Sequence, residues 1–541
     1  MRDIRQEAVS ADPIGGGRAK GVQATCADDG LDDLRIMLTA TEAFPYLEDL
    51  FLTARTQISA SFRIFDPQTR LLSEKARSVG EDWADLVAHT LARGVRVSLV
   101  LSDFDPVGAP ELHVTTHRSL RDLAKSAERS GAPEFLEAVA HRHPAEAGPI
   151  WRLLAAPLAR RKLARTAAHL TAQGAEKADE TLANAPGLAP LLRPDGTGGW
   201  CPKRGILPRL APCSHHQKLA VADGSHLYIG GLDLDERRRD GLHHNRPADR
   251  TWHDVVLGVT GPVAGQAEAH LAAFRSEIDG TARPSARPGL LRTLSGRRRG
   301  LGRLRIGPRP LVAEIQDRTL AEITRTTQLV YLETQFLRDT RFARALAARA
   351  RQMPDLQLIV VLPAAPDEVA FLDDGSLGQR FGEHMQAKCI NILERAFGGR
   401  ALFVAPAQPR PAVPDGTRAL LCGAPIVYVH AKVSVFDERA AVVSSANLNG
   451  RSHRWDTEAG IALEVPTEVQ LLRERLFQHW LPEGVGQEFF APESAPQAWR
   501  RLSEENADRQ PEDRRGFLLP YPKKAPRRFG RPVPFLPQEM V

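Results

Sequence analysis

One pattern occurs twice in this chain, 214 residues apart. The first copy reads His216-Gln-Lys218, then Asp223, then Gly230-Gly231. The second reads His430-Ala-Lys432, then Asp437, then Ser444-Ser445. In both, one residue separates His from Lys, the Asp lies five beyond the Lys, and a small pair begins seven beyond the Asp. A lone His-x-Lys arises by chance, but two copies with every downstream spacing matched do not. The chain is an internal repeat that carries polar chemistry in each half, and its fold must place both halves on one plan.

The surroundings of the two copies agree. Apolar runs flank Asp223 (219–222 and 227–229) and Asp437 (433–436 and 440–443). Each half reads as a strand, a turn at the acid and a second strand. His and Lys, two apart on a strand, point to the same face. A buried hairpin with a polar edge would explain one copy but not the shared His-Lys side in both.

Two imidazoles and two ammonium groups meeting across a pseudo-symmetric interface suit a doubly esterified phosphate. The lysines can hold the non-bridging oxygens and stabilise charge in the transition state. One imidazole can attack phosphorus while the other protonates the leaving oxygen. Two fixed cations already neutralise the phosphate, so no metal and no cofactor is expected. Cys201 and Cys213 beside His215 and His216 lack a usual zinc spacing, and no Gly-x₄-Gly-Lys-Ser/Thr loop exists for a nucleoside triphosphate.

These residues resemble the paired His-Lys-Asp motifs of the phospholipase D superfamily. Segments 230–240 and 252–261, which include Asp233, Arg238, Asp240 and Trp252-His-Asp254, are similar to eukaryotic-type members. So are Tyr331-Leu-Glu333-Thr-Gln335-Phe and the segment from Ser445 through Asn447 and Arg451 to Glu458. Ser444, Thr334 and Arg239 depart from that pattern. The resemblance implies an α/β fold of two pseudo-symmetric lobes, each a mostly parallel sheet flanked by helices, with the active site at the lobe interface. It implies His216, Lys218, Asp223, His430, Lys432, Asp437, Asp254 and Glu458 as the catalytic set. His216 is then the nucleophile and His430 the general acid, although the near symmetry leaves the assignment open. Asp254 and Glu458, each downstream of its own motif, are expected to fix the imidazole tautomers. Asp223 and Asp437 fit a bracing role within the hairpins better than proton transfer. Asn447, Ser445 and Asp233 are expected at the substrate.

Periodicity organises the rest. Residues 1–34 carry Gly15-Gly-Gly and no period, which predicts a disordered tail. A first lobe is expected over 35–280, where a helix, a strand near Ile58, a helix from Trp83 and a strand from Val95 predict a β-α-β unit. A largely helical insertion is expected over 105–200. Within it, 149–165 mixes Trp151 and Leu153 with Arg160, Lys162 and Arg165. It reads either as an interfacial segment or as packed helices, with Pro157 interrupting any long one. Residues 281–309 read as an Arg-rich linker: from 283 they hold nine arginines and no acid. A second lobe follows over 310–490, then a Pro-rich basic tail over 491–541, expected to be extended.

With 541 residues, 42% hydrophobic and 26% charged, the chain can bury more than one core. No apolar run of about 18 residues exists, the start lacks a secretory apolar stretch, and five scattered cysteines suggest thiols. These features predict a cytoplasmic or peripheral membrane monomer, or one exported without a cleaved signal. The expected partners are a phospholipid surface and water or a small alcohol, and not nucleic acid. Hydrolysis of the distal phosphodiester of a glycerophospholipid, giving phosphatidic acid, leads. Phosphatidyl transfer (cardiolipin or phosphatidylserine synthase type), nuclease action and a non-catalytic scaffold are the alternatives.

Overall fold

Both copies of the motif form hairpins of the same shape. In the computed structural model, which describes residues 31, 33–205, 207–413 and 416–541, Leu219–Ala222 pairs antiparallel with His226–Gly230. Lys432–Phe436 pairs likewise with Ala440–Ser444. These strands are buried almost throughout, which is why they read as apolar runs rather than alternations. Asp223 and Asp437 turn the hairpins at φ 51° and 54°, a left-handed conformation that Asp tolerates because its short side chain bonds locally.

Each hairpin sits inside a sheet of one common order. The first sheet runs Leu34–Leu38, Val255–Thr260, His226–Gly230, Leu219–Ala222, Gln57–Phe62, Arg96–Asp103 and Leu136–Arg142. The second repeats it as Leu290–Gly296, Glu458–Leu463, Ala440–Ser444, Lys432–Phe436, Leu329–Thr334, Gln357–Val361 and Ala401–Pro406. It adds Arg309–Ala313 at one edge and Leu518–Pro520 at the other. The sheets are mixed rather than mostly parallel. Only the two pairings made by helical crossovers in each sheet are parallel, because a tight hairpin can join strands only antiparallel.

Helices Thr39–Thr53 and Trp83–Ala92 cover the outer face of the first sheet, and Thr340–Gln352 with Leu377–Phe397 covers that of the second. The other faces contribute to one shared core, where Leu219, Ile229 and Leu257 join Val433, Val443, Ile461 and Trp480. The lobes are therefore cemented along their motif strands.

Several segments differ from expectation. The predicted disordered tail lies outside the described residues except at its end, where Leu34 opens an edge strand. The insertion begins later than 105, because Pro110–Ser130 and Leu136–Arg142 extend the β-α-β series into the first sheet. Pro149–Gln173 is one helix that runs through Pro157. The Arg-rich stretch is not merely a linker, since Leu290–Gly296 is an interior strand of the second sheet. There Arg292 is buried and bonded to Glu314 at 2.8 Å, so its charge hid a core position. The C-terminal stretch is folded rather than extended: Ala495–Asp508 is a helix that buries Trp499 and Leu502. Among the described residues, no helix is long and apolar enough to cross a membrane.

Candidate active site

The two motif segments enter the interface as extended chain and pair with the opposite lobe. The backbone N–H groups of His216 and Gln217 donate to the Thr457 carbonyl at 2.8 and 2.9 Å, and that of His430 donates to the His253 carbonyl at 2.7 Å. The two imidazoles face each other with ring centroids 6.5 Å apart. Given about 3 Å of reach from each reacting nitrogen, that gap suits one phosphorus centre between them.

Each imidazole is oriented by an acid from the other lobe. His216 Nδ1 donates to Glu458 at 3.0 Å, and His430 Nδ1 donates to Asp254 at 2.6 Å. With Nδ1 engaged, Nε2 is left to work. Asp254 is positioned by its neighbour: His253 Nε2 donates to Glu333 of the second lobe at 2.7 Å, and Glu333 also accepts from Trp480 Nε1 at 2.7 Å. Gly231 has to be glycine because a Cβ there would come within 2.1 Å of Asp254.

Burial drives both partners of each pair toward their neutral forms. His216 and His430 are held well below the ordinary imidazole value, first by desolvation and then by the neighbouring Lys218 and Lys432. Desolvation pushes Glu458 up to about 8 and Asp254 up to about 6. Lys432 is lowered to about 7, again chiefly by burial. The site thus gathers titratable groups that burial has shifted toward neutrality, a setting in which an entering anion would favour the charged forms of the lysines and histidines.

The structure brings His216, Lys218, His430, Lys432, Asp254 and Glu458 together, keeps Ser445 and Asp233 in contact with them, and places Asp223 and Asp437 at the far ends of the hairpins. Asp223 lies a full strand from Lys218, about 16 Å at strand rise. It accepts backbone N–H groups from Arg55, Thr56 and Gln57 at 2.8 to 3.0 Å. Asp437 does the same for Thr327, Gln328 and Leu329 at 2.9 Å. Both lock a hairpin to the start of the adjoining strand. Ser445 is fully buried and donates to Glu458, so it braces that acid rather than meeting substrate. Asp233 lies 3.6 Å from Lys218 and accepts the Ile64 N–H at 2.9 Å. A carboxylate there would repel phosphate, and it serves to anchor the lysine. Asn447 is buried, and among the described residues its Oδ1 has no hydrogen-bond partner.

Of the other contributors, Arg63 and Cys213 had no legible role in the sequence, while Trp252, Arg238, Arg451 and Asp456 lie in the segments that carry the resemblance. Arg63, just past the Gln57–Phe62 strand, lowers the pKa of His216 and Lys218 by its charge. The Trp252 ring lies 4.7 Å from the His430 ring and carries the Arg238 guanidinium 4.7 Å from its centroid. Asp456 accepts the Ser214 N–H at 2.7 Å and pairs with Arg451, fixing the approach to His216. Cys213 bonds His143 at 3.1 Å instead of gathering with Cys201.

Residues 319–480 match the family model described as "Cardiolipin synthase, PLD-like domain". No curated protein matches the chain. Among solved structures it is similar to the phosphatidylserine synthase of Haemophilus influenzae Rd KW20, at 11% identity and TM-score 0.47, over 88% of this chain and 94% of that one. It is also similar to the polyphosphate kinase of Porphyromonas gingivalis, at 9% identity and TM-score 0.39, over 82% and 47%. The phospholipase D family member Nuc of Salmonella typhimurium is similar at 11% identity and TM-score 0.22, over 31% and 88%.

Proposed function

We propose that this chain, whose second lobe is a phospholipase D-like domain and whose first lobe repeats its motif, cleaves the distal phosphodiester of glycerophospholipids through a phosphohistidine. The carrying observation is the pair of facing imidazoles 6.5 Å apart, each held at Nδ1 by an acid of the opposite lobe.

In the first step His216 Nε2 attacks phosphorus. The bond to the headgroup oxygen breaks, and His430 gives that oxygen a proton. His430 takes up this proton at Nε2 as the anionic phosphodiester enters beside it, with Asp254 standing as its carboxylate partner. Glu458 keeps the attacking ring in the productive tautomer and stabilises it as its charge grows. In the second step His430 takes a proton from the acceptor, whose oxygen displaces His216 from phosphorus. Lys218, Lys432 and the Asn447 amide hold the non-bridging oxygens. Contacts of this kind contribute about 3–4 kcal/mol each when they act only on the transition state. With water as acceptor the product is phosphatidic acid, and with an alcohol it is a new phospholipid.

A second reading is transfer rather than hydrolysis. Burial of both lysines and both histidines limits water at the intermediate, and the family model matched by the second lobe is described by a cardiolipin synthase. The lipid rather than nucleic-acid substrate draws on segments 252–254 and 331–336, which resemble those of eukaryotic-type phospholipases D. Incubation with mixed phospholipid vesicles, with and without ethanol, and identification of products by mass tests both readings. Phosphatidic acid alone supports hydrolysis, and phosphatidylethanol in ethanol supports the shared intermediate. Cleavage of DNA or RNA with all phospholipids left intact overturns the lipid assignment.

A further inference from the structure

Large apolar side chains are exposed in one place out of proportion to the rest of the surface. Ile150, Leu153, Leu154 and Leu158 occupy one face of the helix Pro149–Gln173, at helical spacing. Leu301 and Leu304 lie on the short turn Gly300–Leu304, which packs against that helix. These six side chains are between 47 and 87% exposed. The helix does not need that face for its own packing, because Ala156, Ala159, Leu163 and Leu170 on the other side already join a core with Val107 and Leu188. Scattered exposed leucines are ordinary, but a contiguous stripe marks a contact surface.

Charge identifies what the stripe contacts. Beside it lies a cavity of about 640 Å³ lined by Arg283, Arg297, Arg298, Arg299, Arg303 and Arg309. None of the six makes an ion pair among the described residues. The two acids on its wall face cations elsewhere: Glu277 lies 3.7 Å from Arg292, and Asp279 lies 4.0 Å from His141. A smaller cavity, lined by Gly148, Arg152, Arg298 and Arg305, joins this cluster to the helix start.

The surface is tied to the segment that delivers the first histidine. Arg152 donates to the carbonyls of Leu207 and Pro208, and Ala147 N–H to that of Leu210. Ile306 packs in a small cluster with Cys213 and Trp455, which stand three residues before His216 and two before Thr457.

We propose that this face docks on an anionic bilayer, with the stripe entering the acyl boundary and the arginine cavity taking an anionic phosphate headgroup. The apolar stripe favours a lipid surface over nucleic acid, which has no use for exposed leucines. The inference deepens the phospholipid reading, but its test does not depend on turnover.

Full-length protein carrying His430→Ala, so that no lipid is consumed, is co-sedimented with phosphatidylcholine vesicles containing or lacking phosphatidylglycerol. Binding is expected only with the anionic lipid. It should fall about tenfold in Leu153→Ser/Leu154→Ser and again in Arg297→Glu/Arg303→Glu. In the His430 parent the same pairs should leave hydrolysis of a dissolved short-chain phosphatidylcholine within about twofold, with melting temperatures unchanged. That soluble assay separates a wrong surface from a wrong function. Undiminished vesicle binding in both variants overturns the proposal. So does binding blind to lipid charge, a leucine stripe that only holds two copies together, or an arginine cluster that binds RNA whatever stands at 153 and 154.

Discussion

Asp233 and Asn447 stand at the same place in the two halves, one carboxylate and one amide, and this is where the repeat loses its symmetry. Asp233 lies 3.6 Å from Lys218. Asn447, its counterpart fifteen residues beyond the second lysine, carries no charge, and Lys432 lies against the His430 ring at 2.7 Å. Burial lowers both lysines, but Lys432 is brought down to about 7.

Burial of Lys432 sets the alkaline limb of the pH profile. A lysine with a lowered pKa keeps its charge below that value and loses it as pH rises through it. In the free enzyme, kcat/KM should therefore fall above about pH 7. Lys432→Arg, which cannot lose its charge, should be slower at neutral pH yet flat up to pH ~9. Asn447→Asp, which puts a carboxylate at the position equivalent to Asp233, should move the limb upward. Steady-state profiles across the three proteins check this, and a limb unmoved in both variants removes Lys432 as its source.

The two histidines can be told apart by leaving group. A general acid matters little when the leaving group needs no proton, whereas a nucleophile is always needed. With a p-nitrophenyl phosphodiester, His430→Ala should still release a burst of nitrophenol and carry phosphate on His216 by mass. His216→Ala should show neither. On a phospholipid both should lose ~10³-fold or more, and the double variant should be scarcely worse, because the pair acts as one unit. A burst in His216→Ala and none in His430→Ala reverses the roles.

Asp223 and Asp437 should prove to be stability residues. Hydrogen bonds from Thr56, Gln57 and Arg55 outweigh desolvation and hold Asp223 at about 2. Its contribution is complete above the ordinary Asp value and is lost as pH falls toward 2. Asp223→Ala should cost about 1–3 kcal/mol by leaving backbone donors unpaired, read as a lower denaturation midpoint. Its kcat per folded molecule should stay within about twofold. A large kcat loss with an unchanged midpoint would return this residue to the chemistry.

What could be read from the chain was what lies close along it. His216 and Lys218 share a face because they are two apart on a strand, and the turn at Asp223 follows from the apolar runs beside it. The pairing of Glu458 with His216, and of Asp254 with His430, depends on how two sheets dock, and no local spacing encodes that. Charge misled at Arg292, whose partner Glu314 comes from a different element. The Pro-rich C-terminal stretch looked extended because its prolines stand out, yet Trp499 and Leu518 sit in the core shared by the lobes. Ser445 has a residue type that suits phosphate, and only the position of Glu458 shows its hydroxyl to be spent.

The exchange of acids between lobes makes each half a hostage of the other. A half expressed alone would carry its histidine and lysine but no tautomer-fixing partner, having lent its own acid away. Neither half could drift back toward independence without first regaining that acid. The shared core that holds the two sheets together therefore also holds both histidines in their working orientation.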